Sequence, residues 1–210
     1  MRRDALLLAS RNRGKLIELR DFFARSGIAV IDLLDAEIPE TPEEDAIEAY
    51  PTFEENALAK ASYFASRSGQ AVVADDSGLE VLALGGEPGV RSKRWSGRTD
   101  PSGAAVDAAN NALLLERLRG VADRRARFVC AAAWCHGDER VVVRGEVPGI
   151  IVDAPSGTHG FGYDPYFFST ELGRTLGDAT VAEKAQVSHR GRAFARLLDV
   201  LVSRGAIARS

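Results

Sequence analysis

Apolar residues fall in short blocks separated by polar, glycine-bearing breaks, and their spacing changes from block to block. Residues 5–9 form a continuous apolar run of strand length, as expected of a buried strand. Residues 15–25 carry Leu16, Leu19 and Phe23 at helical spacing, and Gly27 stops them. A second strand is predicted over residues 28–34. The acidic, proline-bearing stretch 35–51 predicts an irregular loop. Residues 52–68 predict a helix, with Thr52 and Glu55 as a capping box and Gly69 as its stop. Residues 71–74 predict a buried strand that ends in two acids, Asp75 and Asp76, with Ser77 and Gly78 as a tight exit and residues 79–84 continuing the layer.

The second half opens with a glycine-, serine- and arginine-rich surface loop over 85–103, followed by a helix over 104–118. Two strands, 127–135 and 140–146, are joined by a hairpin around Gly137-Asp138. A glycine-rich loop covers 155–165. A last helix starts near His189, with Phe194, Leu197, Leu198 and Leu201 as its apolar stripe. There are no internal repeats. Helices alternate with strands early and strands cluster later, which predicts an α/β protein with a mixed sheet.

The 210 residues suit one domain, residues 1–210, of ordinary size or with two lobes. A net charge of -3 excludes a global basic field for nucleic acid, so an anionic ligand needs a local basic cluster. Cys130 and Cys135 lie in an apolar run and read as buried free thiols in a reducing compartment. Arg2 and Arg3 before apolar residues resemble the start of a signal peptide, but the apolar core is too short and Arg11, Arg13 and Lys15 follow at once. No stretch is long enough to span a bilayer. The expected setting is cytoplasmic.

Adjacent carboxylates at the end of an apolar strand are costly unless their charge is offset, and a divalent metal ion is the usual offset. A turn that merely ends the strand is the competing reading. Ser10-Arg11-Asn12-Arg13-Gly14-Lys15 lead into a helix N-terminus, where free backbone N–H groups and Lys15 favour an anion; an ordinary cap with solvated charges is the alternative. Asn56 and Lys60 share one helix face, and Glu48 is one of several acids just before that helix. In the loop Gly157 to Pro165, Phe161 and Tyr163 offer rings for stacking on a base, and Asp164 offers an acceptor. A structural turn with packed aromatics competes with that reading. Lys184, His189 and Arg190 supply basic groups near the last helix. Together these parts describe a site for a nucleoside polyphosphate.

The segments Ser10 to Lys15, Thr52-Phe53-Glu54-Glu55-Asn56-Ala57-Leu58-Ala59-Lys60-Ala61, Ala74 to Leu79, Gly85 to Val90, Gly160 to Pro165, and Glu183-Lys184 with Ser188 to Ala193 resemble, in order, the motifs of the inosine/xanthosine triphosphate pyrophosphatases. The resemblance covers nearly the whole chain. It implies a two-lobed fold with a long central mixed sheet flanked by helices, an active site in the cleft between lobes, and a homodimer. It implies Mg²⁺-dependent hydrolysis of ITP, dITP and XTP to the monophosphate and pyrophosphate. It makes Asp76 the catalytic acid and metal ligand, and Glu48 the second metal ligand, although Glu48-Ala49-Tyr50-Pro51 departs from the family's usual Glu-Thr-Gly. It assigns Ser10, Arg11, Asn12, Arg13, Gly14, Lys15, Lys60 and Ser77 to the triphosphate. Phe161, Gly162, Tyr163, Asp164, Lys184, His189 and Arg190 are assigned to the base and nucleotide. Arg91 and Trp95 replace usual tyrosines, and His159 replaces a common glycine. A related group acting on pyrimidine nucleotides, and a nucleotide-binding regulator without turnover, are the alternative functions.

Overall fold

The computed structural model describes residues 5–100 and 102–208; Arg2 and Arg3, the pair behind the signal-peptide reading, lie outside them. The chain order is β1 (Leu6–Leu8), α1 (Arg13–Arg25), β2 (Val30–Asp32), α2 (Phe53–Ser68), β3 (Val72–Val81), α3 (Gly103–Arg117), β4 (Arg125–His136), β5 (Glu139–Ile151), β6 (Phe167–Ser169), β7 (Arg174–Thr175), α4 (Val181–Gln186) and α5 (His189–Ser203). These strands form a seven-stranded sheet in the order β2-β1-β3-β4-β5-β6-β7. β1 runs parallel to both β2 and β3, whereas β6 is antiparallel to β5 and β7. The mixed α/β sheet expected from the sequence is therefore present.

The chain divides into two compact units. The first holds the described residues up to Asp76, Cys130–Gly145 and the described residues from Arg190 on; the second holds the described residues of Ser77–Val129 and Glu146–His189. β3, β4 and β5 contribute residues to both. In the first unit, Leu6, Leu8, Val73, Cys130, Ala132 and Trp134 of the sheet pack with Leu19 and Phe23 of α1. Ala193, Phe194, Leu197, Leu198 and Leu201 of α5 complete that core. The second unit buries Leu79, Val81, Phe128, Val147 and Ile151 with Leu114, Leu118, Tyr163, Phe167 and Leu176.

Local signals explain the element ends. Asn12 caps α1 by accepting from the Lys15 amide at 3.1 Å. Thr52 caps α2 by accepting from the Glu55 amide, and Gly69 closes it in the left-handed conformation. Elsewhere the structure departs from expectation. β3 does not end at the two acids but runs unbroken through Asp75, Asp76, Ser77 and Gly78 to Val81, because buried cations pair with the first acid and remove the cost of keeping it inside the sheet. The loop before α2 contains a 3₁₀ turn, Pro42–Ala46. The short α4 is set by a capping box of Thr180 and Glu183; no apolar periodicity announces it. Among the described residues, no helix is long and apolar enough to cross a membrane.

Candidate active site

In the first unit, residues from four elements converge on β3. Strand alternation sends Asp75 and Asp76 to opposite faces. Asp75 is 1 % exposed. Its Oδ2 lies 3.1 Å from Lys15 Nζ and accepts from Arg190 Nε at 3.2 Å. Arg190 reaches on to Glu18 of α1, and the Cys130 thiol lies against the same Asp75 oxygen. Burial pushes the Asp75 carboxyl up, but Lys15, Arg190 and Lys60 outweigh it and hold the group well below the usual carboxylate range. Burial likewise lowers the Lys15 ammonium, and the charges of Asp75, Asp76 and Glu48 more than restore it.

Asp76 has the opposite character. Burial pushes its carboxyl up to about 6; Glu48 adds to the rise, while Lys15, Lys60 and the Asn56 hydrogen bond oppose it. Asn56, fully buried on α2, donates to Asp76 Oδ2 at 3.0 Å. The same Asn56 accepts from the Tyr50 amide at 2.9 Å and donates to the Tyr50 carbonyl at 3.2 Å. It thereby pins the segment that carries Glu48. Lys60, one turn along α2, pairs with Glu48 and donates to the Asp75 carbonyl at 2.9 Å. Burial raises the Glu48 carboxyl, but Lys60 and Lys15 bring it below its ordinary value.

Of the predicted phosphate loop, Ser10 Oγ accepts from the Asn12 amide and Lys15 reaches Asp75. Arg11 is turned to Glu44 and the Ile38 carbonyl. Arg13 is exposed and Gly14 half-buried at the start of α1.

In the second unit, Ser77 lies partly exposed on β3. Phe161 is 40 % exposed, and Lys184 Nζ lies 4.9 Å from its ring centroid. Asp164 is buried; its Oδ2 accepts from the Phe161 amide at 2.9 Å and from Lys184 at 2.7 Å. A Cβ on Gly160 would meet that oxygen at 2.1 Å, so the loop closes over the carboxylate only with glycine there. Tyr163 differs from the open stacking ring expected of it: it packs in the second core and its hydroxyl donates to the Ser92 carbonyl at 2.9 Å. His189 stacks on Phe128, 5.0 Å between centroids and 14° between planes.

Residues 6–200 match the Ham1 family. The chain belongs to that family. It is similar to the dITP/XTP pyrophosphatase of Mycobacterium tuberculosis, 53% identical over 204 residues that cover 94% of this chain and 95% of that one. It is similar also to the dITP/XTP pyrophosphatase of Frankia alni, 48% identical over 201 residues covering 93% and 96%. Among solved structures, the Ham1 protein of Staphylococcus aureus superposes with a TM-score of 0.80 at 37% identity, covering 95% of this chain and 99% of that one. A nucleoside-triphosphatase / dITP/XTP pyrophosphatase of Mycobacterium abscessus gives a TM-score of 0.70 at 46% identity, covering 92% and 98%.

The donor chemistry of this Ham1-family chain suits a hard divalent cation. No group of three or more His, Cys, Asp or Glu side chains able to hold a metal occurs among the described residues. Mg²⁺ is typically bound by one or two carboxylates, substrate phosphates and water rather than by an all-protein cage. Glu48 and Asp76 are hard oxygen donors whose mutual repulsion raises Asp76, and a dication relieves that repulsion. Asn56 was seen in the sequence only as a face-mate of Lys60. Its signal was an amide set among Phe53, Ala57, Ala61 and Phe64, the apolar positions that the helix buries.

Proposed function

We propose that this protein is a Mg²⁺-dependent nucleoside triphosphate pyrophosphatase that converts ITP, dITP and XTP to the monophosphate and pyrophosphate. The observation that carries the reading is Asp76: a buried carboxylate poised near neutrality, anchored by Asn56 and facing the charge of Glu48. The names of relatives at 53% and 48% identity support the same chemistry.

Glu48 and Asp76 would hold Mg²⁺, which when bound supplies charge neutralisation for the triphosphate. Asp76, buried and held by Asn56, is the proposed proton acceptor. It takes the proton of a water whose oxygen bonds to the α-phosphorus. The bond from that phosphorus to its bridging oxygen breaks, and pyrophosphate leaves with the electron pair. Lys15 and Lys60 supply positive charge for the departing group, with Ser10 to Gly14 and Ser77 as further phosphate contacts. Phe161 stacks the base. Lys184 and His189 would donate to a 6-keto oxygen, while Arg190, held between Asp75 and Glu18, acts by fixing Asp75. Adenine presents an amino group there and leaves donors unpaired, at about 1–3 kcal/mol each. Gly162, Tyr163 and Asp164 act by shaping this loop. A homodimer in the cytoplasm completes the reading, as the family resemblance implies.

Pyrophosphate release measured over ITP, dITP, XTP, ATP, GTP, UTP and dTTP, with and without Mg²⁺, tests the proposal. Deaminated purines are expected to lead and activity to require the metal. Equal or faster turnover of the pyrimidines overturns the purine reading, and binding of ITP without pyrophosphate release overturns the enzyme reading.

A further inference from the structure

The loop that carries Phe161 is held from outside by a helix to which the mechanism gives no role. α3 turns Asp107, Asn110 and Asn111 to one face, in register with the buried Leu114. Asp107 Oδ2 accepts from the Gly162 amide at 2.9 Å, and Asn111 Nδ2 donates to the Gly162 carbonyl at 3.0 Å. One acceptor and one donor, a single turn apart, thus satisfy both backbone polar groups of one loop residue. Asn110 ties down the neighbouring loop by donating to the carbonyls of Ser92 and Lys93 and accepting from the Ser96 amide.

Packing alone does not account for Asn111. Its Oδ1 is buried with no hydrogen-bond partner among the described residues, a costly state for a polar atom that an apolar residue would avoid. Asparagine and aspartate are also poor helix-interior residues. What the pair provides is a fixed Gly162, whose left-handed backbone (φ 63°) directly follows the half-exposed Phe161. Asp164 in turn holds the Phe161 amide and Lys184. The loop is therefore held at both Phe161 and Gly162.

We propose that Asp107 and Asn111 are positioning residues: by clamping the Gly162 peptide they set the Phe161 ring and the Lys184 ammonium for recognition of the purine base. This rests on the pyrophosphatase reading above. The clamp acts on base recognition and leaves the Asp76 chemistry untouched, so its loss weakens binding and selectivity while sparing turnover.

Asp107→Ala, Asn111→Ala and the conservative Asp107→Asn, whose amide oxygen still accepts from Gly162, form the test. For the two alanine variants, kcat/KM on ITP is expected to fall about tenfold, chiefly through KM. The ratio of kcat/KM for ITP over ATP should fall with it, while Asp107→Asn stays near the parent protein. That ratio is insensitive to the fraction of folded enzyme. Amide hydrogen exchange over residues 160–164 is expected to quicken about tenfold in the alanine variants, with the second core unchanged. An unaltered ratio and KM, a proportional loss of kcat on both substrates, or Asp107→Asn as impaired as Asp107→Ala each overturns the inference. Unchanged exchange overturns the clamp itself. If the parent protein releases no pyrophosphate from ITP, the function reading fails, and the exchange data still decide whether the clamp exists.

Discussion

Asn56 donates to Asp76 Oδ2 at 3.0 Å while holding both backbone groups of Tyr50. One buried amide thus couples the proposed catalytic acid on β3 to the segment that carries Glu48. Asn56→Ala leaves the Tyr50 amide and Asp76 short of a partner. The expected cost is about 1–3 kcal/mol of stability, read by urea denaturation, together with a raised Mg²⁺ requirement in the pyrophosphate-release assay. An unchanged metal requirement would confine Asn56 to a structural role.

Asp76→Asn removes the proposed proton acceptor and metal ligand but keeps the shape and the capacity to face Asn56. Turnover of ITP should drop by roughly 10²–10⁴, with circular dichroism unaltered. A variant with parent-like turnover would take Asp76 out of the mechanism.

Asp75 serves the fold more than the chemistry. Its carboxylate answers two buried cations, Lys15 and Arg190. Asp75→Asn removes the carboxylate that both share, leaving Arg190 with Glu18 and Lys15 with the charges of Asp76 and Glu48, and a loss of about 3 kcal/mol is expected by thermal or urea unfolding. Adding Lys15→Met should recover part of that loss, and the double-mutant cycle gives the coupling. Strictly additive losses would show that the pair does not interact.

Asp32 gives stability a defined acid limb. At the end of β2 its Oδ1 accepts from the amides of Leu34 and Asp35 at 2.9 Å, and Oδ2 takes Arg20 at 2.6 Å. Burial raises the carboxyl, but the Arg20 hydrogen bond, with the backbone donors, leaves it below its ordinary value. An acid whose folded value is depressed stabilises the fold above its unfolded value of about 3.9 and loses that contribution as pH falls through the folded value. Asp32→Asn should therefore flatten the acid side of a stability-against-pH curve and leave the neutral-to-basic side parallel to the parent. An unchanged acid limb would show that Asp32 contributes no linkage.

Legibility followed the range of the interactions. The cap of α2 by Thr52 and Gly69 and the α5 stripe of Phe194, Leu197, Leu198 and Leu201 depend on neighbours within a turn or two, so their spacing announces them. The continuity of β3 was not legible, because it depends on Lys15 and Arg190, far away in the chain. Tyr163 and Phe161 look alike as loop aromatics, yet one is buried against Ser92 and the other half-exposed beside Lys184. Only packing separates them.

From the order of residues alone came the α/β class with its mixed sheet, the ends of the longer helices, and, through the ordered motifs, the family. Those are consequences of periodicity, caps and residue chemistry, all written locally along the chain. Tertiary structure decided which of two adjacent aspartates is held low by nearby cations and which is pushed up to about 6 by burial. It also decided that Asp107 and Asn111 reach a glycine more than fifty positions away. A carboxylate's protonation and a loop's position depend on which charges and hydrogen-bond partners stand within a few ångströms, and only the folded chain brings them there.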